Sequence, residues 1–171
     1  MPCNLNFNQC NSFINFPQPI FNCYCRLISL LNSSTTTVIN PAINTSNAFF
    51  TATAQTISSA GNLVVSLSST TGNIQTDGSG NIILPKGKYL ITANINGIFP
   101  TNGEASFSLY KDGLQIASSV SEISGNSGDN FTMTVSSVVN VTGNSSTISV
   151  RNINGQSQTI NNGSIVVQAL N

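Results

Sequence analysis

The residues of this chain with the most chemistry to offer are four cysteines, and they are crowded at its N-terminus. All of them lie within the first 25 residues: Cys3, Cys10, Cys23 and Cys25. Such thiols can bind a metal, stay free or form disulfides. Structural zinc sites favour cysteine pairs with about two to four residues between the ligands, a spacing that neither Cys23/Cys25 nor Cys3/Cys10 has. We therefore predict no metal site. Of the two remaining states we favour disulfides, since a segment without a core of its own gains most from covalent links.

Catalytic chemistry has little support in this sequence. The chain has no histidine, so no Ser-His or Cys-His nucleophile pair can form. The five acidic residues are dispersed: Asp77, Glu104, Asp112, Glu122 and Asp129. Asp77 and Asp112 each precede a glycine, as turn residues do. A carboxylate pair for glycoside hydrolysis and a calcium site using Asp77 and Asp129 remain the alternatives. We predict that the protein is not an enzyme and has no cofactor.

The composition points to association with other protein copies. Charged residues make up 6% of the chain and the net charge is zero, against roughly 25% charged residues in ordinary globular domains. The basic residues are scattered, so we expect no nucleic-acid partner. No apolar run approaches the roughly 18 residues of a membrane span, so we expect no membrane partner either. A surface with so little charge repulsion favours self-association.

Residues 1–31 form an apolar arm, and residues 32–46 a polar linker that begins NSSTTT. Pro17 and Pro19 favour an extended path over a helix. The large apolar side chains of the arm are interleaved with Asn, Gln and Pro: Phe7, Phe13, Ile14, Phe16, Ile20, Phe21 and Tyr24. A disordered tail is one alternative, and a membrane anchor would need a helical moment and basic residues. We predict that Phe7, Phe13, Ile14, Phe16, Ile20 and Phe21 dock on a neighbouring subunit.

Residues 47–171 read as short strands between turn signals, which predicts a single all-β domain of about ten strands, a sandwich or jelly roll. The predicted strands span residues 48–54, 63–67, 81–84, 88–96, 105–110, 115–120, 131–142, 147–153 and 164–170. Alternation is clearest from Phe131 to Val141, where every second residue shares one face.

The turn signals between these strands are explicit. They are Asp77-Gly78-Ser79-Gly80, Pro85-Lys86-Gly87, Lys111-Asp112-Gly113 and Thr142-Gly143-Asn144. Asp112-Gly113, between two apolar runs, is the strongest hairpin signal.

One long stretch of the body carries a family resemblance. Residues 80–116, GNIILPKGKYLITANINGIFPTNGEASFSLYKDGLQI, are followed by a late TISVRN strand and a C-terminal GSIVVQALN strand. This combination resembles the trimeric jelly-roll heads of the tumour-necrosis-factor and complement globular-head superfamily, in particular those on bacterial spore surfaces. The resemblance implies a homotrimer. Four aromatic residues are our candidates for its interface: Phe49, Tyr89, Phe107 and Phe131.

The N-terminal segment differs from the collagen-like stalk of the spore-surface glycoproteins. A short cysteine-bearing arm stands in its place, as in the subunits of endospore appendages, whose N-terminal connectors dock into the next subunit. The resemblance therefore implies a structural subunit of a surface fibre on the exosporium or spore coat, built from stacked homotrimers. A spore-surface anchor and a tip protein are the further partners that a fibre allows. The alternative is a trimeric receptor- or glycan-binding head at a fibre tip. We expect no secretory signal, because spore-coat proteins are made in the mother cell and released by lysis.

We predict that the cysteines crosslink the assembly covalently. Cys23 and Cys25 lie at the base of the arm and can pair around a threefold axis, while Cys3 and Cys10 at its far end reach the next trimer. Boiled in detergent without reductant, wild-type fibres should then migrate above the monomer, because covalent bonds survive unfolding. Reductant, or a variant with all four cysteines changed to Ser, should give monomers. Monomer bands from unreduced wild-type fibres would exclude crosslinking.

Overall fold

A computed structural model describes residues 46–170, and the fold is stated for these residues alone. The arm, nearly all of the linker and the four cysteines lie outside them, so the predictions made on those segments stay predictions. The ten strands are β1 (Asn47–Ala52), β2 (Gln55–Ile57), β3 (Ser66–Thr71), β4 (Gln75–Thr76), β5 (Ile82–Ile98), β6 (Gly103–Lys111), β7 (Leu114–Gln115), β8 (Ser121–Gly125), β9 (Asn130–Asn152) and β10 (Gln158–Leu170). A single 3-10 turn, Ala117–Ser119, lies between β7 and β8. No helix among residues 46–170 has the length and hydropathy of a membrane span.

All strand pairs are antiparallel, in the order β3-β1-β10-β5-β9-β6-β7, with β2 on β10, β4 on β5 and β8 on β6. The long strands β5 and β9 take different partners along their length. Residues 88–98 of β5 lie between β10 and the first half of β9. Residues 82–85 pair instead with β4 and the second half of β9, which also pairs with β6. Two strands thus belong to both layers of a jelly-roll sandwich.

Two of the predicted turns are wrong, because the chain bends there without reversing. Pro85-Lys86-Gly87 lies inside β5, and Thr142-Gly143-Asn144 lies inside β9. The register of the β5–β9 pair shifts between Pro85 and Gly87, and such irregularities bend a strand while its pairing continues. The Tyr89 hydroxyl donates a hydrogen bond to the Pro85 carbonyl (3.0 Å). This bond links the two parts of β5 on either side of the bend.

The core lies between the layers and consists of the inward positions of the long strands. On β9, Phe131, Met133, Val135, Val139 and Val141 are buried, which confirms the predicted face. Three of the four aromatic interface candidates belong to this core. Tyr89 and Phe107 are fully buried and Phe131 is 3% exposed, so none of them is on the subunit surface. They occupy inward positions of three neighbouring strands, β5, β9 and β6, where burial of an aromatic side chain is favourable.

The predicted hairpin at Asp112-Gly113 is confirmed. Both residues have positive φ angles, 50° and 81°, as a two-residue turn that matches strand twist requires, and β6 pairs across it with β7. The strand predicted at 115–120 is wrong. After two residues of β7 the chain forms the 3-10 turn, in which the buried Ser119 hydroxyl accepts a hydrogen bond from the Leu109 amide (2.8 Å). The sequence reading also missed β8, which follows it.

The packing around Gly97 on β5 predicts that a larger residue at this position destabilises the fold. A Cβ on Gly97 would overlap the Phe131 ring and the Thr159 carbonyl oxygen. Gly97→Ala should therefore lower the free energy of unfolding by about 1–3 kcal/mol, as overpacking does. Gly155→Ala is the matched control, since no atom lies within 4 Å of that position. Denaturant unfolding measures both, and equal stabilities of the two variants would contradict this packing.

Candidate interaction surface

The outer face of β1, β10, β5 and the first half of β9 carries exposed apolar side chains at its centre. Phe49 lies directly opposite Val166, and Leu90 directly opposite Val138. Leu90 and Val166 are diagonal neighbours, because Val166 pairs with Thr92. Directly opposed Cβ atoms are about 4.5–5.5 Å apart, and diagonal ones remain within reach of long side chains. Phe49, Leu90, Val138 and Val166 thus form a contiguous group, called here the apolar cluster.

The apolar cluster is exposed in the single subunit. Phe49 is 38%, Val166 40% and Val138 51% exposed, and Leu90 is half-buried. An open groove of about 360 Å³ lies over β3, β1 and β10 at one side of the cluster, and no charged residue lines it. Its lining residues are Asn47, Ala48, Phe49, Ser69, Thr70, Thr71, Val166, Val167 and Gln168.

The other end of the same face is polar but already hydrogen-bonded within the subunit. The Asn96 side-chain amide donates a hydrogen bond to Asn162 Oδ1 (2.7 Å), and Asn96 Oδ1 accepts one from the Thr132 hydroxyl (2.8 Å). Asn94 Oδ1 accepts from the Thr134 hydroxyl (2.8 Å). Satisfied groups of this kind can be covered by a partner at little cost, whereas an unpaired buried group costs about 1–3 kcal/mol.

The opposite layer of the sandwich is covered by the chain itself. Ser106 and Ser108 point away from the core on β6, yet both are fully buried. The Ser108 and Ser119 hydroxyls are 3.0 Å apart across a hydrogen bond, so the 3-10 turn packs over this side of β6. Among the described residues, no corresponding segment covers the apolar cluster.

The hairpin tip between β6 and β7 is a second exposed apolar feature. Leu114 is 75% exposed. The turn beside it is held in place, because Asp112 Oδ1 accepts a hydrogen bond from the Thr147 amide (2.8 Å). That bond is the first cause of the lowered pKa of the Asp112 carboxyl. Leu114 is thus an isolated apolar side chain on a well-anchored turn.

The two acidic residues considered for calcium binding, Asp77 and Asp129, each lie in a hydrogen-bonded turn. No group of three or more His, Cys, Asp or Glu side chains suited to a metal occurs within residues 46–170. Asp77 accepts hydrogen bonds from the Asn81 side-chain amide, the Ser79 main-chain amide and the Ser79 hydroxyl, each at 2.8 Å. Asp129 accepts from the Asn126 amide (3.0 Å) within another turn. Both candidates for calcium binding therefore serve as hydrogen-bond acceptors within their own turns.

Of the residues singled out from the sequence, only Phe49 belongs to the apolar cluster, and its place in a trimer interface stays a prediction. The sequence reading missed Leu90, Val138 and Val166. A signal for them existed: apolar residues stand in succession in Tyr89-Leu90-Ile91, Val138-Val139 and Ile165-Val166-Val167. A strand with one solvated face should alternate, so apolar residues in both phases indicate that its second face is also buried against something.

The fold is shared with known globular heads. The globular domain of zebrafish complement 1qA superposes with a TM-score of 0.61 at 6% identity, covering 73% of this chain and 97% of that one. Murine APRIL gives 0.58 at 10% identity, covering 72% and 98%. Eiger TNF from S. frugiperda gives 0.56 at 11% identity, covering 73% and 92%. No family model and no curated protein matches the sequence. The described residues therefore have the complement 1q and TNF jelly-roll fold.

The Asp77 turn predicts a specific acid dependence. Hydrogen bonds from the Asn81 side chain and from Ser79 lower the pKa of Asp77 from 3.8 to about 2. A lowered pKa means that the stabilising effect of the charge is fully present above about pH 4 and is lost as the pH falls towards about 2. The difference in unfolding free energy between wild type and Asp77→Asn should shrink over that window. A difference that does not change with pH would contradict these contacts.

Proposed function

We propose that this protein is a structural subunit of a self-assembling surface fibre, whose jelly-roll heads associate as homotrimers through the apolar cluster. The observation that supports this most is the cluster itself. Phe49, Val138 and Val166 are all more than a third exposed, on a face where Lys88 is the only charged residue of β1, β10, residues 88–98 of β5 and residues 130–140. Contiguous exposed apolar residues of this kind typically mark interaction sites.

Charge and symmetry both favour self-association at this face. With one lysine at its edge, the face has little charge to desolvate when a partner covers it. A copy that packs a different part of its surface on the face makes a head-to-tail contact, and such contacts close into rings when the rotation allows. Three copies are the number that the resemblance to trimeric heads implies.

The arm supplies the connection between heads in this proposal. It precedes the head in sequence, and the first strand of the head begins at Asn47, at the same end of the face as Leu90 and Val138. Its aromatic residues are costly to leave in water, and its cysteines give the linkage a covalent form. Location on the bacterial spore surface, with an anchor and a tip protein as further partners, is proposed on the strength of the resemblance.

A lysine in the apolar cluster tests the association of heads. Val166→Lys in the full chain should raise the dissociation constant of the head assembly by about 100-fold or more, since it buries an unpaired charge. Leu114→Lys is the control, because it changes an exposed apolar residue outside the cluster. Analytical ultracentrifugation measures both, and circular dichroism checks folding. If both variants still assembled, or if neither did, the assignment of the interface to this face would be contradicted.

A terminal binding head is the second candidate, and Leu114 is the observation that favours it. Its side chain is 75% exposed on a well-anchored turn, where it can enter an apolar pocket of a receptor. The two functions differ in what the purified full-length protein forms. Negative-stain microscopy should show filaments for a repeating subunit, and discrete particles of uniform size would favour the terminal head instead.

A further inference from the structure

We propose that one edge of β3 accepts a strand from a second copy of this chain, and that residues 35–39 supply it. The proposal rests on the self-association proposed above and names an acceptor for the segment that precedes the head. All six residues of β3 are exposed, and β3 pairs with β1 along one edge. No strand among residues 46–170 pairs with its other edge. The acceptor is this second edge at residues 66–70.

The β3 edge lacks two of the features that prevent edge pairing, charge and proline, and its one irregularity is a register shift against β1 between Phe49 and Phe50. Proteins protect exposed edges with charges, prolines, β-bulges, short strands or covering segments. The sequence of β3, SLSSTT, has neither a charge nor a proline. An uncharged edge at residues 66–70 is a template for strand addition, in which main-chain hydrogen bonds provide most of the affinity.

Four other edge strands of the described residues are short or carry a charge, and the edge of β9 is covered at residues 137–140. β8 has five residues and carries Glu122. The edge of β9 is blocked where the Lys111 ammonium donates to the Asn140 carbonyl (2.8 Å), and the Ser118 and Ser137 hydroxyls meet nearby (3.5 Å). β2, β4 and β7 have only two or three residues each. β3 differs from β2, β4, β7 and β8 in its length and its lack of charge.

Residues 35–39 have the composition of a donor strand. Their sequence, TTTVI, is a run of five β-branched residues without a charge, and such residues favour strands. The run nearly equals β3 in length. Seven residues, 40–46, separate it from β1 and span at most about 23 Å at 3.3 Å per residue. An acceptor edge must therefore lie within that distance of Asn47, as in an adjacent head of one assembly.

Strand direction favours a second copy over the same chain. Asn47 lies opposite Thr71, and β1 and β3 are antiparallel. A donor of the same chain that ran antiparallel to β3 would be parallel to β1, and a crossover between connected parallel strands needs a dozen or more residues, whereas only seven are present. The donor of the same chain would therefore have to run parallel to β3 and end near Thr71. Parallel pairing is the less stable arrangement, and this path would also cross β3. A neighbouring copy has no such restriction and can add its segment antiparallel.

A proline scan of the donor in the full chain tests the pairing. In an added strand, successive amides point alternately to the acceptor and to solvent, and proline removes one amide. Thr36→Pro and Val38→Pro should therefore both weaken the strand pairing or both leave it intact, and Thr37→Pro should have the other outcome. Proline at positions whose amide points to the acceptor should make hydrogen exchange at residues 66–70 about tenfold faster or more. Proline at positions whose amide points to solvent should not. Equal effects at all three positions, or none, would overturn strand addition.

Disulfide trapping identifies the donor copy. In a variant whose four natural cysteines are Ser, Ser69→Cys is combined in turn with Thr36→Cys, Thr37→Cys or Val38→Cys. Disulfide bonds require Cα atoms within about 7 Å, so the three positions test the central registers of the donor against Ser69. Ser124→Cys, exposed on β8, replaces Ser69→Cys in the control.

Crosslinked dimers or larger species with Ser69→Cys, and not with Ser124→Cys, would support donation by a second copy. A bond within one chain, or no bond at all, would overturn it. Ultracentrifugation of the same samples separates the two proposals. Associated heads without a crosslink would contradict strand addition alone, whereas monomeric heads would contradict the self-association on which it rests.

Discussion

The antiparallel pairing of β5 with β9 is the interaction on which the rest of this structure depends. It runs from Ile82 opposite Ile148 to Ile98 opposite Asn130 and passes through a shared bend, so the same two strands contribute to both layers. Their inward residues form much of the core, and their outward residues form much of the outer face. A change that loosens this pair would therefore disturb folding and the candidate surface together.

The alternation of these strands also explains why one face is left for a partner. A sandwich without α-helices among its described residues can bury one face of each layer in its own core. The chain covers β6 from outside with the 3-10 turn, through the buried Ser108–Ser119 contact, but places Phe49, Val138 and Val166 in solvent on the other layer. In our account that asymmetry is functional, because the uncovered layer is the one on which another head packs.

The sequence correctly predicted those elements whose conformation depends on residues that are neighbours in the chain. The Asp112-Gly113 hairpin followed from the need for positive φ angles, and the buried face of β9 followed from its alternation. The bends at Gly87 and Gly143 were misread as reversals, since turn residues do not reveal whether pairing continues through them. Tyr89, Phe107 and Phe131 could not be assigned to core or interface, because an aromatic side chain suits both and only the three-dimensional register separates them. Val138 and Val166 were hidden within apolar runs for the same reason.

The association of heads without the arm tests the central claim most directly. A protein that begins at Asn47 retains every strand described here and lacks the cysteines, the arm and the proposed donor segment. Its mass can be measured by light scattering at micromolar concentration, with circular dichroism to establish that it is folded. Our account predicts discrete trimers that do not grow into filaments, because the apolar cluster remains and the connector is gone. A folded monomer at that concentration would contradict the account.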